Sequence, residues 1–138
     1  MVKLIVGKKG TGKTKMLVDM VNEAAKNSKG NVVCIEKDNS LTFDLKPEVR
    51  LIRADEYDVM DYTRFFGFLA GIMAADYDCT EIFIDSITKL CGKNPAEMEA
   101  FFKAVEELTE VHTATVFATI SATLEEIPSA LHPYIVNM

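Results

Sequence analysis

The chain has 138 residues, about half of them apolar, with 21 acidic against 15 basic side chains. That length fits one domain, residues 1–138, with one core large enough to fold alone. A net charge of −6 argues against non-specific nucleic-acid binding by the monomer, and no run is long and apolar enough to span a bilayer.

Val2 to Val6 (VKLIV) reads as a buried parallel strand ending at Gly7. Lys13 to about Asn27 reads as a helix with Met16, Leu17, Met20, Val21 and Ala24 on one stripe, closed by Gly30 at positive φ. Asn31 to Glu36 (NVVCIE) is a second buried strand. Lys37 to Glu48, polar and interrupted by Pro47, is a loop or small hairpin, and Val49 to Arg53 a third strand. Met60 to Ala75 is apolar nearly all round, which predicts a helix that is buried or lies at an interface. Gly67 and Gly71 give it the spacing that lets helix backbones approach, so an oligomer contact is open.

Glu81 to Asp85 (EIFID) is the fourth strand. Asn94-Pro95 reads as an N-cap followed by proline at the first helical position. That helix runs to about Val111. Met98, Phe101, Phe102, Val105 and Leu108 form its apolar side, and Glu97, Glu99, Glu106, Glu107 and Glu110 a solvated one. Thr115 to Ile120 is the fifth strand, and Tyr134 to Val136 a short edge strand. Strands alternating with helices predict an α/β fold, a three-layer αβα sandwich with a mainly parallel five-stranded sheet. Ligands bind such sheets at the carboxyl ends of the strands.

Cys34, Cys79 and Cys91 are odd in number and form no CxxC pair, which points to reduced thiols and a cytoplasmic setting. His112 and His132 lack ligand-like spacing. The chain runs from Met1 straight into its first strand and a glycine-rich loop, so no cleaved leader is expected.

That loop, Gly7 to Thr14, reads GKKGTGKT and matches G-x-x-x-x-G-K-[ST], the Walker A or P-loop pattern. A strand precedes it and a helix follows, as the mechanism requires. Gly7, Gly10 and Gly12 let the backbone turn its N–H groups around a phosphate, and the helix dipole points at the same anion. Lys8, Lys9, Thr11 and Lys15 complete the nucleotide-binding stretch, Lys13 reaches the β and γ phosphates, and the Thr14 hydroxyl ligates Mg²⁺. A second acid near the metal is expected at the end of an apolar strand, and EIFID supplies Asp85 there.

With these two motifs the chain resembles P-loop NTPases of the RecA-like, additional-strand division, over most of its length. The resemblance implies an acid that orients water. Ser86, not glutamate, follows Asp85, so Glu36 and Asp38 in the EKD end of the second strand are the candidates. It also implies a polar sensor at the end of the strand between those of the two motifs, and Thr119 and Ser121 fit that place. NKxD is absent, which favours ATP over GTP. No arginine finger is identifiable in cis; Arg50, Arg53 and Arg64 are left to act across an oligomer interface.

The resemblance thus implies an ATP-binding protein and a slow Mg²⁺-dependent ATPase, completed by a protein partner or by homo-oligomer formation. Two alternatives stay open. One is a nucleotide-dependent switch in which ATP orders the loop 37–48. The other is a kinase that passes the phosphoryl group to a small molecule.

Overall fold

The computed structural model describes residues 1–136 of the chain. Five strands carry the fold: β1 (Val2–Gly7), β2 (Asn31–Glu36), β3 (Arg50–Arg53), β4 (Cys79–Ile84) and β5 (Thr115–Ser121). All pair in parallel, in the order β1-β5-β4-β2-β3. The last strand in sequence is therefore inserted between the first and the fourth. Gly7 lies opposite Ser121, Ile84 opposite Ala118, and Ile35 opposite Ile84. This register gathers the ends of β1, β5, β4 and β2 along one rim.

Strand parity sorts the core. Leu4, Val33, Ile35, Ile82, Ile84, Val116, Ala118 and Ile120 face one side. Helices α2 (Tyr62–Ala75), α3 (Ile87–Cys91) and α4 (Pro95–His112) bring Phe65, Leu69, Ile87, Met98 and Phe102 onto that side. Ile5, Val32, Cys34, Phe83 and Phe117 face the other, where α1 (Lys13–Asn27) adds Leu17 and Val21 and the 37–49 segment adds Leu41 and Val49. Phe83 and Phe117 stack on neighbouring strands with ring centroids 4.4 Å apart. Both faces are covered, which gives the three layers and explains why the strands read as continuous apolar runs.

Most predicted elements hold, and several details change. The sheet is wholly rather than mainly parallel. The 37–49 segment is a series of turns, with no hairpin. The predicted edge strand at 134–136 shrinks to one parallel bridge, Leu4 to Ile135, after a 3-10 helix over Ser129–Tyr134. Of the predicted α1 stripe, Leu17 and Val21 are buried and Met20 and Ala24 pack half-buried against the core, but Met16 is exposed. Helix α2 buries one stripe, Tyr62, Phe65, Leu69 and Met73, while Gly67 and Gly71 lie exposed on the other side. The buried stripe packs on α4, with Tyr62 and Phe65 against Phe101 at centroid distances of 5.2 and 6.0 Å. Glu106 is not part of a solvated face: its carboxylate accepts the Val2 N–H at 2.7 Å.

Gly30 serves a different purpose from the predicted one. It does not adopt positive φ, and Ser28, in extended backbone, caps α1. The turn docks against the start of β4: the Asn31 N–H donates to Asp78 O at 2.7 Å, and the Ser28 and Thr80 hydroxyls bond at 2.7 Å. A Cβ at Gly30 would run into Asp78 O and Thr80 Cγ2, whereas one at Gly67 would meet nothing. Gly30→Ala should therefore cost about 1–3 kcal/mol. Gly67→Ala should gain about 0.5–1 kcal/mol by removing helix-interior glycine. Urea denaturation midpoints of the two variants, moving in opposite directions from wild type, check both.

Candidate functional site

The segment joining β1 to α1 is shaped by two glycines. Gly10 has φ 84° and Gly12 φ 86°, the left-handed region that costs other residues about 1–2 kcal/mol. Gly12 caps α1, and its carbonyl accepts the Met16 N–H at 3.0 Å. Three donors converge on the Lys8 carbonyl: the Thr11 N–H at 3.3 Å, the Thr11 hydroxyl at 2.7 Å and the Lys13 ammonium at 2.8 Å. The loop is thus folded around its own lysine. Lys13 is 9% exposed. Burial lowers its pKa, Asp85 opposes that, and Lys89 adds to it.

Asp85 follows β4 directly and is 8% exposed. Its N–H donates to Ile35 O at 2.9 Å, which fixes it beside the end of β2. Its carboxylate accepts the Thr14 hydroxyl at 3.2 Å and the Thr119 hydroxyl at 3.0 Å. Thr119, 1% exposed on β5, in turn accepts the Ser86 N–H at 2.6 Å. Three separated segments, α1, β4 and β5, therefore meet at one carboxylate. Thr14 and Asp85 fit Mg²⁺, an ion that takes one or two carboxylates and completes its shell with water and phosphate oxygens. No cluster of three or more His, Cys, Asp or Glu exists among the described residues, so a cage built of protein ligands alone is not offered there.

A cleft of about 640 Å³ opens at this rim. It is lined by Lys8, Lys9, Gly10, Gly12, Lys13, Thr14 and Lys15 from the loop side, and by Ser121 from β5. Thr11 and Gly7 line a neighbouring hollow instead. Across the cleft stand Ser86, Thr88, Lys89, Lys93, Thr123 and Glu126. The sequence reading missed this second wall. Its signal was the pair of lysines in TKLCGKN after Asp85, which only the short helix α3 turns toward the loop. Six of the chain's fifteen basic residues thus line one cleft, making it positive on an acidic protein. A larger groove of about 940 Å³ runs along α1 past Met16, Met20, Phe83 and Phe117. Its apolar wall suits a polyphosphate poorly, and it meets the cleft only at Gly12 and Lys15.

Glu36 and Asp38 do not line the cleft. Glu36 ends β2 at 2% exposure, and both its oxygens are engaged: one accepts the Ser40 hydroxyl at 2.8 Å, the other the Leu41 N–H at 3.0 Å. Asp38 is exposed and accepts the Ser40 N–H at 3.0 Å. Its carboxyl is held below its ordinary value, chiefly by that bond. No arginine lines the cleft either; Arg53 pairs with Asp55 at 3.2 Å and Arg64 with Asp58 at 3.1 Å. Burial, reinforced by Asp85 and Glu36, pushes the Cys34 thiol far up, so it stays protonated beneath the site.

Burial also pushes the Glu36 carboxyl above its ordinary value of 4.5, although the Leu41 and Ser40 bonds pull it down. The folded chain then holds that proton more tightly than the unfolded chain does. Stability linked to Glu36 is greatest at low pH and falls as pH rises above the ordinary carboxyl value. Wild type should therefore lose stability relative to Glu36→Gln as pH rises from about 4.5 toward neutrality. Paired urea titrations across that range check this, and a difference independent of pH would contradict it.

No protein-family model matches the chain, and no curated protein matches it. What the cleft does must be inferred from its own residues.

Proposed function

We propose that the chain is a P-loop NTPase of the RecA-like, additional-strand division that binds ATP with Mg²⁺ and hydrolyses it slowly. One observation carries this reading. The Thr14 hydroxyl, which lines the lysine-rich cleft, is hydrogen-bonded to the Asp85 carboxylate, 71 positions away in sequence. The lysine and hydroxyl after GKKGTG thus meet the acid after EIFI, as a metal–triphosphate site requires. The position of β5 between β1 and β4 supports the division, and Thr119 against Asp85 supports the sensor assignment.

In this reading the loop amides and Lys13 hold the β and γ phosphates and stabilise charge on the transferring group. To do so Lys13 exchanges its bond to the Lys8 carbonyl for one to phosphate. Thr14 and Asp85 would hold the metal, which would supply charge neutralisation during phosphoryl transfer. Thr119 keeps Asp85 oriented. Water attacks the γ-phosphorus, and a new P–O bond forms as the β–γ bridging bond breaks. The bond's electron pair leaves with the diphosphate, and the water's proton passes to phosphate or solvent. Glu36 or Asp38 orients that water only after leaving its bonds in the 37–48 loop. That requirement, and the lack of an arginine in the cleft, favour slow turnover completed by self-association or a protein partner.

The same bonds favour a second reading, a switch. Glu36 ties the rim to Ser40 and Leu41, so a nucleotide that recruits Glu36 would rearrange the loop. Two measurements separate the readings. Phosphate release from Mg-ATP that rises per molecule with protein concentration indicates an ATPase completed by association. ATP-dependent protection of the 37–48 loop from proteolysis, without release, indicates the switch. Under both, Lys13→Ala should weaken Mg-ATP binding by about 100-fold or more. Equal binding by this variant and wild type, measured by titration calorimetry, would remove the nucleotide reading altogether.

A further inference from the structure

The wall facing the loop is built by an unusual turn. Ser86, directly after Asp85, has φ 58° and ψ 59°, a left-handed conformation that costs a serine about 1–3 kcal/mol. The Thr119 hydroxyl holds its N–H at 2.6 Å. The turn starts α3 at once. Ile87 and Leu90 anchor that helix in the core, and Thr88 and Lys89 are left lining the cleft.

The lysines on this wall are not equivalent. Lys93, like Lys8, stands near Glu126, whose carboxyl lies below its ordinary value chiefly through bonds from Thr123, with smaller contributions from these two lysines. Lys89 lines the same cleft as Lys13 and Thr14 and follows Asp85 by four residues. No ion pair holds Lys89 among the described residues. Ammonium groups gathered in one polar cleft are stabilised by an anion bound among them. Thr14, the proposed metal-binding hydroxyl, lines that cleft too, and a triphosphate places its terminal phosphate beside the metal. Arg50, Arg53 and Arg64 do not line it, so this cationic contact falls to lysine.

We propose that Lys89 contacts the γ-phosphate of a bound nucleoside triphosphate opposite Lys13, and so distinguishes triphosphate from diphosphate. The inference rests on the triphosphate reading of the cleft. It makes Lys89 a specificity-determining residue supplied by the same chain.

The test is a fluorescence titration of wild type, Lys89→Ala, Lys89→Arg and Lys93→Ala with Mg-ATP and Mg-ADP analogues. Lys89 and Lys93 are exposed, so the variants keep the fold. Lys89→Ala should reduce the preference for triphosphate over diphosphate about tenfold, with diphosphate affinity kept. Lys89→Arg should restore the preference, and Lys93→Ala should weaken both nucleotides alike. An unchanged preference in Lys89→Ala, with wild-type binding that depends on Lys13, overturns the role of Lys89 and leaves the triphosphate reading standing. Equal loss of preference in Lys93→Ala overturns it as well, since total charge would then explain the effect. Wild type that binds neither nucleotide overturns the triphosphate reading and this inference together.

Discussion

Everything at the rim depends on one buried carboxylate. Asp85 accepts hydroxyls from Thr14 and Thr119, and its own N–H is held by Ile35 O. A carboxylate this enclosed is tolerated only when its oxygens are bonded, so the contacts constrain one another. They tie the first turn of α1 and the end of β5 to the end of β4. The left-handed turn at Ser86 is secured by the same Thr119 hydroxyl, which links the carboxylate to the start of α3.

Charge is distributed against the chain's average. An acidic protein gathers six lysines around a single cleft, with Asp85 behind them and Glu126 at the edge. Lys13 shows the consequence. It is buried, its pKa is lowered by that burial, and it bonds the backbone of its own loop. The loop therefore holds its own lysine by an internal bond. Glu36 behaves similarly, with both oxygens bonded to the loop that follows it. In the reading proposed here, ligand binding exchanges these internal bonds for external ones rather than adding new ones to free groups.

The strands, the long helices and the glycine loop were legible from local patterns. VKLIV and NVVCIE read as buried strands because both sheet faces are covered. Asn94-Pro95 marked a helix start because its chemistry is local: Asn94 Oδ1 accepts the Glu97 N–H at 3.0 Å. The misreadings involved distant partners. Gly30 is needed for its closeness to Asp78 and Thr80, which no neighbouring residue announces. Glu106 resembled its exposed neighbours until β1 came to lie beside α4. Helix α3 was invisible because five residues carry too little periodicity, and with it went Lys89 and Lys93.

By itself the sequence determined the alternation of strands and helices, the glycines that free the loop backbone, and the lysine and threonine that open α1. These follow from backbone conformation and short-range periodicity, which act within a few residues. The insertion of β5 between β1 and β4 and the meeting of Thr14, Asp85 and Thr119 were implied only through the resemblance and are made by tertiary structure, which alone decided the second wall of the cleft. It also decided that Glu36 is engaged by its own loop rather than directed into the cleft. Each of these depends on strand order and register, which bring together groups tens of residues apart through packing that no local segment encodes.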